Sequence, residues 1–307
     1  MPYFELYRKH RPKSLDDVVG QPSAVAVLKS MVAKSEIPHA LLLSGPSGCG
    51  KTTLARILRK HVKCKMQDFH ELNIADIRGI DNIRDIRTSM RKYAIGGTNK
   101  VFLLDEVAEL TGSAQKALLK MLEDTPNHVY FMLCTTDPQK LIKPIRTRCT
   151  EIALKPIDSE DLKILIGDTS EAEGKKVSED VADKIIESSE GSARKALVLL
   201  DSVIRLESEE EMLEVIEKST QEKQGIDLCR ALLNAPWKKV AEIVEGIAPD
   251  DVETVRWIVL GYMKTIVLGG SKIADKAYRI MCCFERNFFD TKHNGLVMAC
   301  WEAVNGK

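Results

Sequence analysis

The stretch GPSGCGKT, residues 45–52, matches the pattern G-x-x-x-x-G-K-[ST] of a phosphate-binding loop. It follows the apolar segment HALLLS (39–44) and opens GKTTLARILRKHV (50–62), where apolar residues recur at helical spacing. Its three glycines let the backbone curl until several N–H groups face one anion, and a helix N-terminus adds a positive dipole. The stretch therefore predicts a strand, a phosphate-binding loop and a helix in succession.

The motif assigns particular contacts to this loop. Lys51 is expected to reach the β- and γ-phosphates of a nucleotide, and the Thr52 hydroxyl is expected to ligate Mg²⁺. The alternative is a glycine-rich turn without a ligand, which the flanking strand and helix patterns argue against. The loop residues predicted to contact ATP are Gly45, Pro46, Ser47, Gly48, Cys49, Gly50, Lys51, Thr52 and Thr53.

Strand-like and helix-like segments alternate through the first half of the chain, which is typical of a parallel sheet flanked by helices. The segments predicted as strands are HALLLS (39–44), DFHELN (68–73), KVFLLD (100–105), VYFMLCTT (129–136) and CTEIAL (149–154). After Lys155-Pro156 the patterns are helical, and the acidic run ESEEEML (207–213) predicts a further short helix. The predicted fold class is α/β followed by all-α, with domains at 1–156, 157–222 and 223–307.

Charge is distributed unevenly along the chain. The 307 residues have no net charge, yet residues 1–156 carry 25 Lys and Arg against 16 Asp and Glu. A basic first half suits an anionic ligand such as a nucleotide or nucleic acid, although a chance distribution on a solvated surface is the alternative.

No run of about 18 apolar residues is present, so no membrane contact is expected. The start MPYFELYRKHRPKSLDD has no signal-peptide core. It predicts an intracellular protein, in the cytoplasm, with a nucleus or a host cytoplasm left open. The eight cysteines form no C-x₂-C pair and the six histidines no H-E-x-x-H motif. We therefore expect reduced thiols and no metal site built by the protein alone.

Polar residues follow two later apolar runs. VFLLDE (101–106) ends in Asp105, expected to hold Mg²⁺, and Glu106, expected to polarise a water for hydrolysis of the γ-phosphate. An acid at the end of a strand often only meets solvent, but its place downstream of a phosphate-binding loop favours the catalytic interpretation. MLCTTDP (132–138) places Thr136, or else Thr135, near the γ-phosphate or the attacking water, unless the residue serves only a turn.

Six segments in this order resemble the clamp-loader ATPases of the AAA+ superfamily, which include the bacterial gamma/tau subunit, the replication factor C small subunits and their phage counterparts. They are LYRKHRPKSLDDVVGQ (6–21), the phosphate-binding loop, ELNIADIRGIDNIRDIR (71–87), LLDEVAELTGSAQKALLKMLED (103–124), TTDPQKLIKPIRTRC (135–149) and GSARKAL (191–197). The resemblance covers about residues 1–200 and fades in the last 85. It implies a RecA-like AAA+ ATPase domain, a helical lid domain and a C-terminal helical collar that oligomerises.

The resemblance implies roles for residues outside the loop. Tyr7, Arg8, Pro12, Val18 and Val19 become nucleotide contacts, with the two valines at the adenine, although packing for stability is the alternative for this segment. Arg194 matches a sensor arginine that links the lid to the γ-phosphate. Asn73 matches a polar residue that holds the catalytic glutamate away from water until DNA arrives.

Arg148 matches an arginine that acts on the nucleotide of the adjacent subunit. Its fork of donors suits a γ-phosphate, where it would stabilise transition-state charge. Thr147 stands where the family usually has serine and keeps the hydroxyl. Arg146 has no such match and is taken as a supporting or solvated charge, and Cys149 as a buried residue rather than a nucleophile.

A basic helix is implied to track DNA phosphates through Arg78, Arg84 and Arg87, with a solvated helix face as the alternative. Tyr93 and Ile95 are candidates for clamp contact. The bacterial gamma/tau pattern inserts a four-cysteine zinc module soon after the phosphate-binding loop, where this chain has only Cys64, so no zinc is expected.

These observations predict an ATP-hydrolysing motor subunit that opens a sliding clamp and places it on primer–template DNA, with ATP and Mg²⁺ as cofactors. The expected partners are the clamp, primer–template DNA and related subunits in a ring or spiral, expected to be a pentamer. The alternatives are another AAA+ DNA-remodelling ATPase, a non-hydrolysing stator subunit of the same complex, and a P-loop kinase for a small molecule. The complete set Lys51, Thr52, Asp105 and Glu106 argues against the stator.

Overall fold

A computed structural model of the chain describes residues 5–76, 79–271 and 273–306. The chain divides into two compact units, Met1–Arg205 and Leu206–Lys307. Among the described residues, no helix combines the length and apolar character needed to cross a membrane.

The first unit is built on a parallel sheet with strand order β2-β3-β4-β1-β5. Its strands are β1 (Ala40–Ser44), β2 (Phe69–Asn73), β3 (Lys100–Asp105), β4 (Val129–Thr135) and β5 (Thr150–Ala153). The five strands predicted from the sequence are confirmed. They could be predicted because the three central strands, β1, β3 and β4, are almost continuously apolar, as strands covered on both faces are.

Helices cover both faces of this sheet. They are α2 (Pro22–Lys34), α3 (Lys51–His61), α4 (Ile80–Met90), α5 (Gly112–Glu123) and α6 (Lys143–Arg148), and a short helix α1 (Leu6–Lys9) precedes them in the chain. Successive strand residues point to opposite faces: Leu41 and Leu43 pack with α2 and α3, while Leu42 packs with α4, α5 and α6. The predicted α/β class with a parallel sheet is confirmed.

Because the strands are parallel, their carboxyl ends meet at one edge of the sheet. Asn73 is in register with Asp105, and Ser44 is in register with both Thr135 and Ala153. Ligands of open α/β sheets bind outside this edge, so the polar residues that follow the strands are brought to the expected position.

The lid helices belong to the same unit. They are α7 (Ser159–Ala172), α8 (Glu179–Ser189) and α9 (Ala193–Val203). The N-caps of these helices are Asp158, Ser178 and Ser192, and the side chain of each accepts a hydrogen bond from a backbone N–H of the first turn. The described part of α1 packs against α9.

The second unit is helical throughout its described part, as predicted. Its helices are α10 (Glu209–Asn234), α11 (Trp237–Glu245), α12 (Val252–Leu268), α13 (Ala274–Cys283) and α14 (Lys292–Asn305). Pro236, Pro249 and Gly269-Gly270 fall between these helices.

The short helix predicted at 207–213 is wrong in length, because α10 continues for 26 residues. Gly225, inside this helix, allows the close packing of α12: a Cβ there would lie 2.7 Å from Ile258 Cγ2. The predicted boundary between residues 222 and 223 also falls within α10, and the division into three domains stays a prediction.

Candidate active site

The phosphate-binding loop has a backbone that its glycines make possible. Gly45, Gly48 and Gly50 have φ angles of 141°, 76° and 106°, which side-chain-bearing residues rarely adopt. The loop also runs close to its neighbours: a Cβ at Gly48 would lie 2.0 Å from Ser192 Oγ, and one at Gly45 would lie 2.4 Å from the Leu154 carbonyl oxygen. The loop is therefore enclosed between the end of β5 and the start of lid helix α9.

Lys51 begins α3 and is buried. Its Nζ donates to the carbonyl oxygens of Gly45 and Pro46, at 2.8 Å each. The ammonium group therefore lies against the loop, at the positive N-terminus of an 11-residue helix. This is an arrangement that suits a bound phosphate.

Thr52 and Asp105 meet at the carboxyl edge of the sheet. Thr52 Oγ1 donates to Asp105 Oδ2 at 2.8 Å, so a residue of the loop and a residue of β3 place two oxygen ligands side by side. Oxygen donors of this kind, few in number and completed by phosphate and water, are what Mg²⁺ prefers. The residues present therefore fit the ion that the sequence predicts.

Glu106 follows Asp105 with a φ of 53°, an uncommon conformation for a residue with a side chain. Its Oε2 accepts a hydrogen bond from Thr136 Oγ1 at 3.3 Å. Thr135 is buried, and its hydroxyl accepts the backbone N–H of Asp137 at 3.1 Å. Of the two threonines left open by the sequence, Thr136 is the one that reaches the acid pair.

These groups face one cleft, of about 920 Å³ including the space open to solvent. Most of the predicted nucleotide contacts line it: Tyr7, Pro12, Val18, Val19, Ser47, Gly48, Cys49, Gly50, Lys51, Thr52, Thr53, Asp105, Glu106 and Arg194. Gly45 and Pro46 form the base of the loop through their carbonyl oxygens. Arg8 lies beside the cleft, where its Nε donates to Tyr7 Oη at 2.9 Å and pairs with Glu5 at 3.1 Å.

Sequence reasoning missed several lining residues. They are His10, Arg11, Ile157, Leu165, Ala193 and Leu197. The four lid residues among them are small or apolar, and periodicity assigns such residues to a helix face without saying what that face covers.

Arg194 stands in the first turn of α9, with its Cζ 5.8 Å from the centroid of the Tyr7 ring. A guanidinium at this distance from an aromatic ring is attracted by the ring's π-electrons. The contact joins the lid to the N-terminal segment at the wall of the cleft.

Asn73 is in register with Asp105 but makes its own side-chain hydrogen bonds within a turn. Its Nδ2 donates to Asp76 Oδ2 at 2.9 Å, and its Oδ1 accepts the backbone N–H of Ala75 at 3.2 Å. The structure therefore brings Asn73 to the right edge of the sheet without a hydrogen bond to Glu106.

Arg148 lies away from its own phosphate-binding loop. It ends α6, two residues before Thr150, which is in register with Leu41 near the start of β1. The loop follows the other end of β1, about 13 Å along the strand at ~3.3 Å per residue. The guanidinium is half-exposed and pairs with Glu123 of α5 at 2.5 Å.

The neighbours of Arg148 fit their predictions only in part. Arg146 Nη1 donates to Gln139 Oε1 at 3.0 Å, which is a supporting contact. Cys149, predicted to be a buried residue, is only partly buried and lies just before β5. Its burial is enough to raise the pKa of the thiol to about 12. Such a thiol stays protonated at neutral pH and is a poor nucleophile.

Two of the three arginines predicted to contact DNA lie on the exposed side of α4. Arg84 and Arg87 are exposed, whereas Ile83 and Ile86 on the same helix are buried against the sheet. Arg78 lies outside the described residues.

The segment after α4 carries two highly exposed apolar side chains. Tyr93 is 82% and Ile95 is 88% exposed. The buried carboxylate of Asp68 accepts the backbone N–H groups of Ile95, Gly96 and Gly97 at 2.7 to 2.9 Å. Burial alone would raise the pKa of Asp68, but these three donors bring it below its ordinary value.

Buried Lys100 acts on the same segment, because its Nζ donates to the carbonyl oxygens of Ser89 and Lys92 at 3.0 Å each. Sequence reasoning missed Asp68 and Lys100, since neither belongs to a recognisable motif.

Comparisons with known proteins show which proteins the chain is similar to. The family model described as "DNA polymerase III, delta subunit" matches residues 73–158, and that described as "Magnesium chelatase, subunit ChlI" matches residues 14–95. The chain is 30% identical to the DNA polymerase III subunit tau of Escherichia coli over 294 residues, covering 87% of this chain and 46% of the relative. It is 38% identical to the replication factor C small subunit of Archaeoglobus fulgidus over 202 residues, covering 64% of this chain and 63% of the relative.

The Bacillus subtilis subunit tau is 35% identical over 66% of this chain and 40% of its own length. The chain thus spans between about two fifths and two thirds of the length of these relatives. Among solved structures, the Thermotoga maritima RuvB Holliday junction branch migration motor is similar with a TM-score of 0.56 and 23% identity, covering 73% of this chain and 79% of its own. At that identity the likeness shows the fold alone.

Proposed function

We propose, because the chain belongs to the clamp-loader AAA+ ATPases, that it is an ATP-hydrolysing motor subunit of a complex that loads a sliding clamp onto primer–template DNA. One observation carries the proposal: Thr52, Asp105 and Glu106 line the same cleft as the phosphate-binding loop, with Thr52 bonded to Asp105. The groups that would bind the phosphates and Mg²⁺ and activate water are thus together in one chain.

The geometry gives each residue a part in hydrolysis. Lys51 and the loop N–H groups bind the β- and γ-phosphates, and the aromatic and apolar far end of the cleft accepts the nucleoside. Thr52 and Asp105 would hold Mg²⁺, which would supply positive charge next to the phosphates. Glu106 accepts a proton from the attacking water, and Thr136, which already bonds its carboxylate, orients that water.

Two arginines supply positive charge from outside the sheet. Arg194 reaches the cleft from the lid of the same chain. Arg148 serves the nucleotide of the next subunit, because the register of β1 and β5 separates it from its own loop. Arg148 would exchange its partner Glu123 for the neighbour's γ-phosphate, where a cation stabilises the transition state.

The remaining assignments extend from the family. Arg78, Arg84 and Arg87 contact DNA phosphates without reading sequence, and Tyr93 with Ile95 contacts the clamp. Residues 223–307 form the collar of a ring or spiral, taken to be a pentamer, whose head-to-tail contacts differ from those of a two-fold dimer. An intracellular location follows from a role in replication.

Two other functions receive less support. A non-hydrolysing stator subunit does not require the acid pair, whereas Glu106 is held by a hydrogen bond at the cleft. Another AAA+ DNA-remodelling ATPase shares the fold, but the similarity to the replication proteins is higher, at 30% to 38% identity.

The test is ATP hydrolysis by the assembled complex, measured with and without the clamp and primed DNA. We expect the combination of clamp and primed DNA to stimulate hydrolysis more than either alone. Lys51→Ala in this chain is the control, and it is expected to abolish ATP binding at its own site. Unchanged hydrolysis in the presence of both would contradict the clamp-loader proposal and leave only an AAA+ ATPase.

A further inference from the structure

The N-terminal segment at the cleft is attached to the lid. The backbone N–H of Leu6 donates to Asp201 Oδ2 of α9 at 3.4 Å, and Arg194 of the same helix lies over the Tyr7 ring. The first turn of the chain is therefore held by a lid helix, although it precedes the sheet in sequence.

Glu173, just after α7, makes the strongest of these attachments. Its Oε1 lies 2.6 Å from Lys9 Nζ and 2.5 Å from His10 Nε2, and its Oε2 accepts from Lys9 at 2.8 Å. Hydrogen bonds from Lys9 and then His10 lower the pKa of Glu173. Glu173 and His10 are about 20% exposed, while Lys9 is 52% exposed, so the contact between Glu173 and His10 is better shielded from solvent than an ordinary surface ion pair. We call Glu173, Lys9 and His10 the Glu173 latch.

The other end of the N-terminal segment is fixed to the sheet. Lys60 Nζ of α3 donates to the Lys13 carbonyl oxygen at 2.7 Å, and Leu15 is buried in the core shared by α2 and α3. Residues 10–12 thus cross from the lid to the sheet, and all three line the cleft.

The position of this crossing matters for a bound nucleotide. A ligand whose phosphates occupy the loop at Lys51 and Thr52 extends its nucleoside towards Tyr7, Pro12, Val18 and Val19, which line the rest of the cleft. This wall keeps its shape only while the segment stays attached both to the lid, through Glu173, and to the sheet, through Lys60 and Leu15.

We propose that Glu173 is a positioning residue for the nucleoside, because its latch joins the N-terminal wall of the cleft to the lid. The inference rests on the proposed function, since it requires a nucleotide in this cleft. The part of the wall that includes Tyr7 and His10 then follows the lid together with Arg194, and a shift of the lid is transmitted to the nucleoside. Contacts to the phosphates depend on the loop and do not require the latch.

The test compares ligands with and without a nucleoside. The dissociation constants of ATP, ADP and inorganic tripolyphosphate are measured for the full chain and for Glu173→Ala. We expect ATP and ADP to bind about three- to tenfold more weakly to the variant, and tripolyphosphate to bind equally well. Glu171→Ala, an exposed carboxylate in the last turn of α7, is the matched control and is expected to change none of the three.

A charge exchange separates positioning from general damage. In Lys9→Glu with Glu173→Lys, the pair is restored with reversed signs, and ATP affinity is expected to recover relative to either single change. Equal weakening of ATP and tripolyphosphate, or unchanged ATP affinity in Glu173→Ala, would overturn the inference. Failure of the unaltered chain to bind ATP would instead contradict the proposed function.

Discussion

The two edges of the parallel sheet hold their polar groups in different ways. At the carboxyl edge, side chains bond to side chains: Thr52 to Asp105 and Thr136 to Glu106. At the amino edge, buried charges bond to backbone. Asp68 accepts three N–H groups, and Lys100 donates to two carbonyl oxygens.

The difference distinguishes a reactive edge from a fixed one. A bond between two side chains can be exchanged for a bond to a ligand while the backbone stays in place. A buried charge bonded to backbone instead fixes the loop that it serves, because leaving either partner unsatisfied is costly. Lys51 bonds to backbone too, but only within its own loop. The carboxyl edge therefore suits chemistry on the chain's own nucleotide, and the amino edge suits a rigid surface for other molecules.

Arg148→Ala gives the largest effect expected from this comparison. Because Arg148 belongs to the amino edge, ATP should bind to the variant chain with unchanged affinity, while hydrolysis in the neighbouring subunit falls by about 10³-fold, as on loss of an arginine finger. Nucleotide binding by the single chain and hydrolysis by a mixed complex measure the two effects separately.

Glu123→Gln is the control for Arg148, since it removes the charge that pairs with the guanidinium and leaves the arginine and its hydrogen bond to the Pro144 carbonyl oxygen in place. It is expected to leave hydrolysis intact. Weaker ATP binding to the Arg148→Ala chain itself would break the comparison, because the arginine would then serve its own carboxyl edge.

Glu106→Gln tests the carboxyl edge directly. The amide cannot accept a proton from water, so hydrolysis should fall by about 10²-fold or more, while ATP affinity and the free energy of unfolding stay close to those of the unaltered chain. Glu109→Gln, in the following turn and facing Lys140 at 3.7 Å, is the control. A large loss of stability in Glu106→Gln would indicate that this carboxylate is structural.

Asp68→Asn tests the amino edge, with the opposite expectation. An amide offers one acceptor oxygen where the carboxylate offers two, so the free energy of unfolding should fall by about 1–3 kcal/mol. Amide hydrogens of residues 95–97 should exchange faster. Hydrolysis stimulated by DNA alone should persist, and the control Asp16→Asn, which is largely exposed, should change neither quantity.

The pH dependence of this loss has a defined sign. The folded pKa of Asp68 lies below its ordinary value of 3.8, so its stabilisation is present above that value and is lost as the pH falls through the folded pKa. The difference in unfolding free energy between the unaltered chain and Asp68→Asn should therefore shrink below about pH 4. A difference that grows in acid would contradict an ionised Asp68.

The same contrast explains how much the sequence could predict. The carboxyl edge is built from local motifs at fixed spacing, so Lys51, Thr52, Asp105 and Glu106 could be placed together before the fold was known. Asp68 and Lys100 have partners 27 to 29 and 8 to 11 residues away, all of them backbone groups. Almost every residue has a backbone N–H and a carbonyl oxygen, so the pattern of side chains in the sequence does not indicate which of these groups will bond to a buried charge. The Glu173 latch was missed for a related reason, since its partners are more than 160 residues away.

Arg87→Ala should give the smallest effect, because it removes one phosphate contact among several. Arg87 stands in the last turn of α4, close to the amino edge, with its neighbour Ile86 buried beneath it. We expect the affinity of the assembled complex for primed DNA to fall a few-fold, independently of DNA sequence. The slope of the logarithm of the binding constant against the logarithm of the salt concentration should decrease in magnitude by about one. Lys175→Ala, an exposed cation in the lid, is the control. An unchanged salt dependence in Arg87→Ala would mean that this helix face is only solvated, and the surface offered to other molecules would then be limited to Arg148 and the segment held by Asp68.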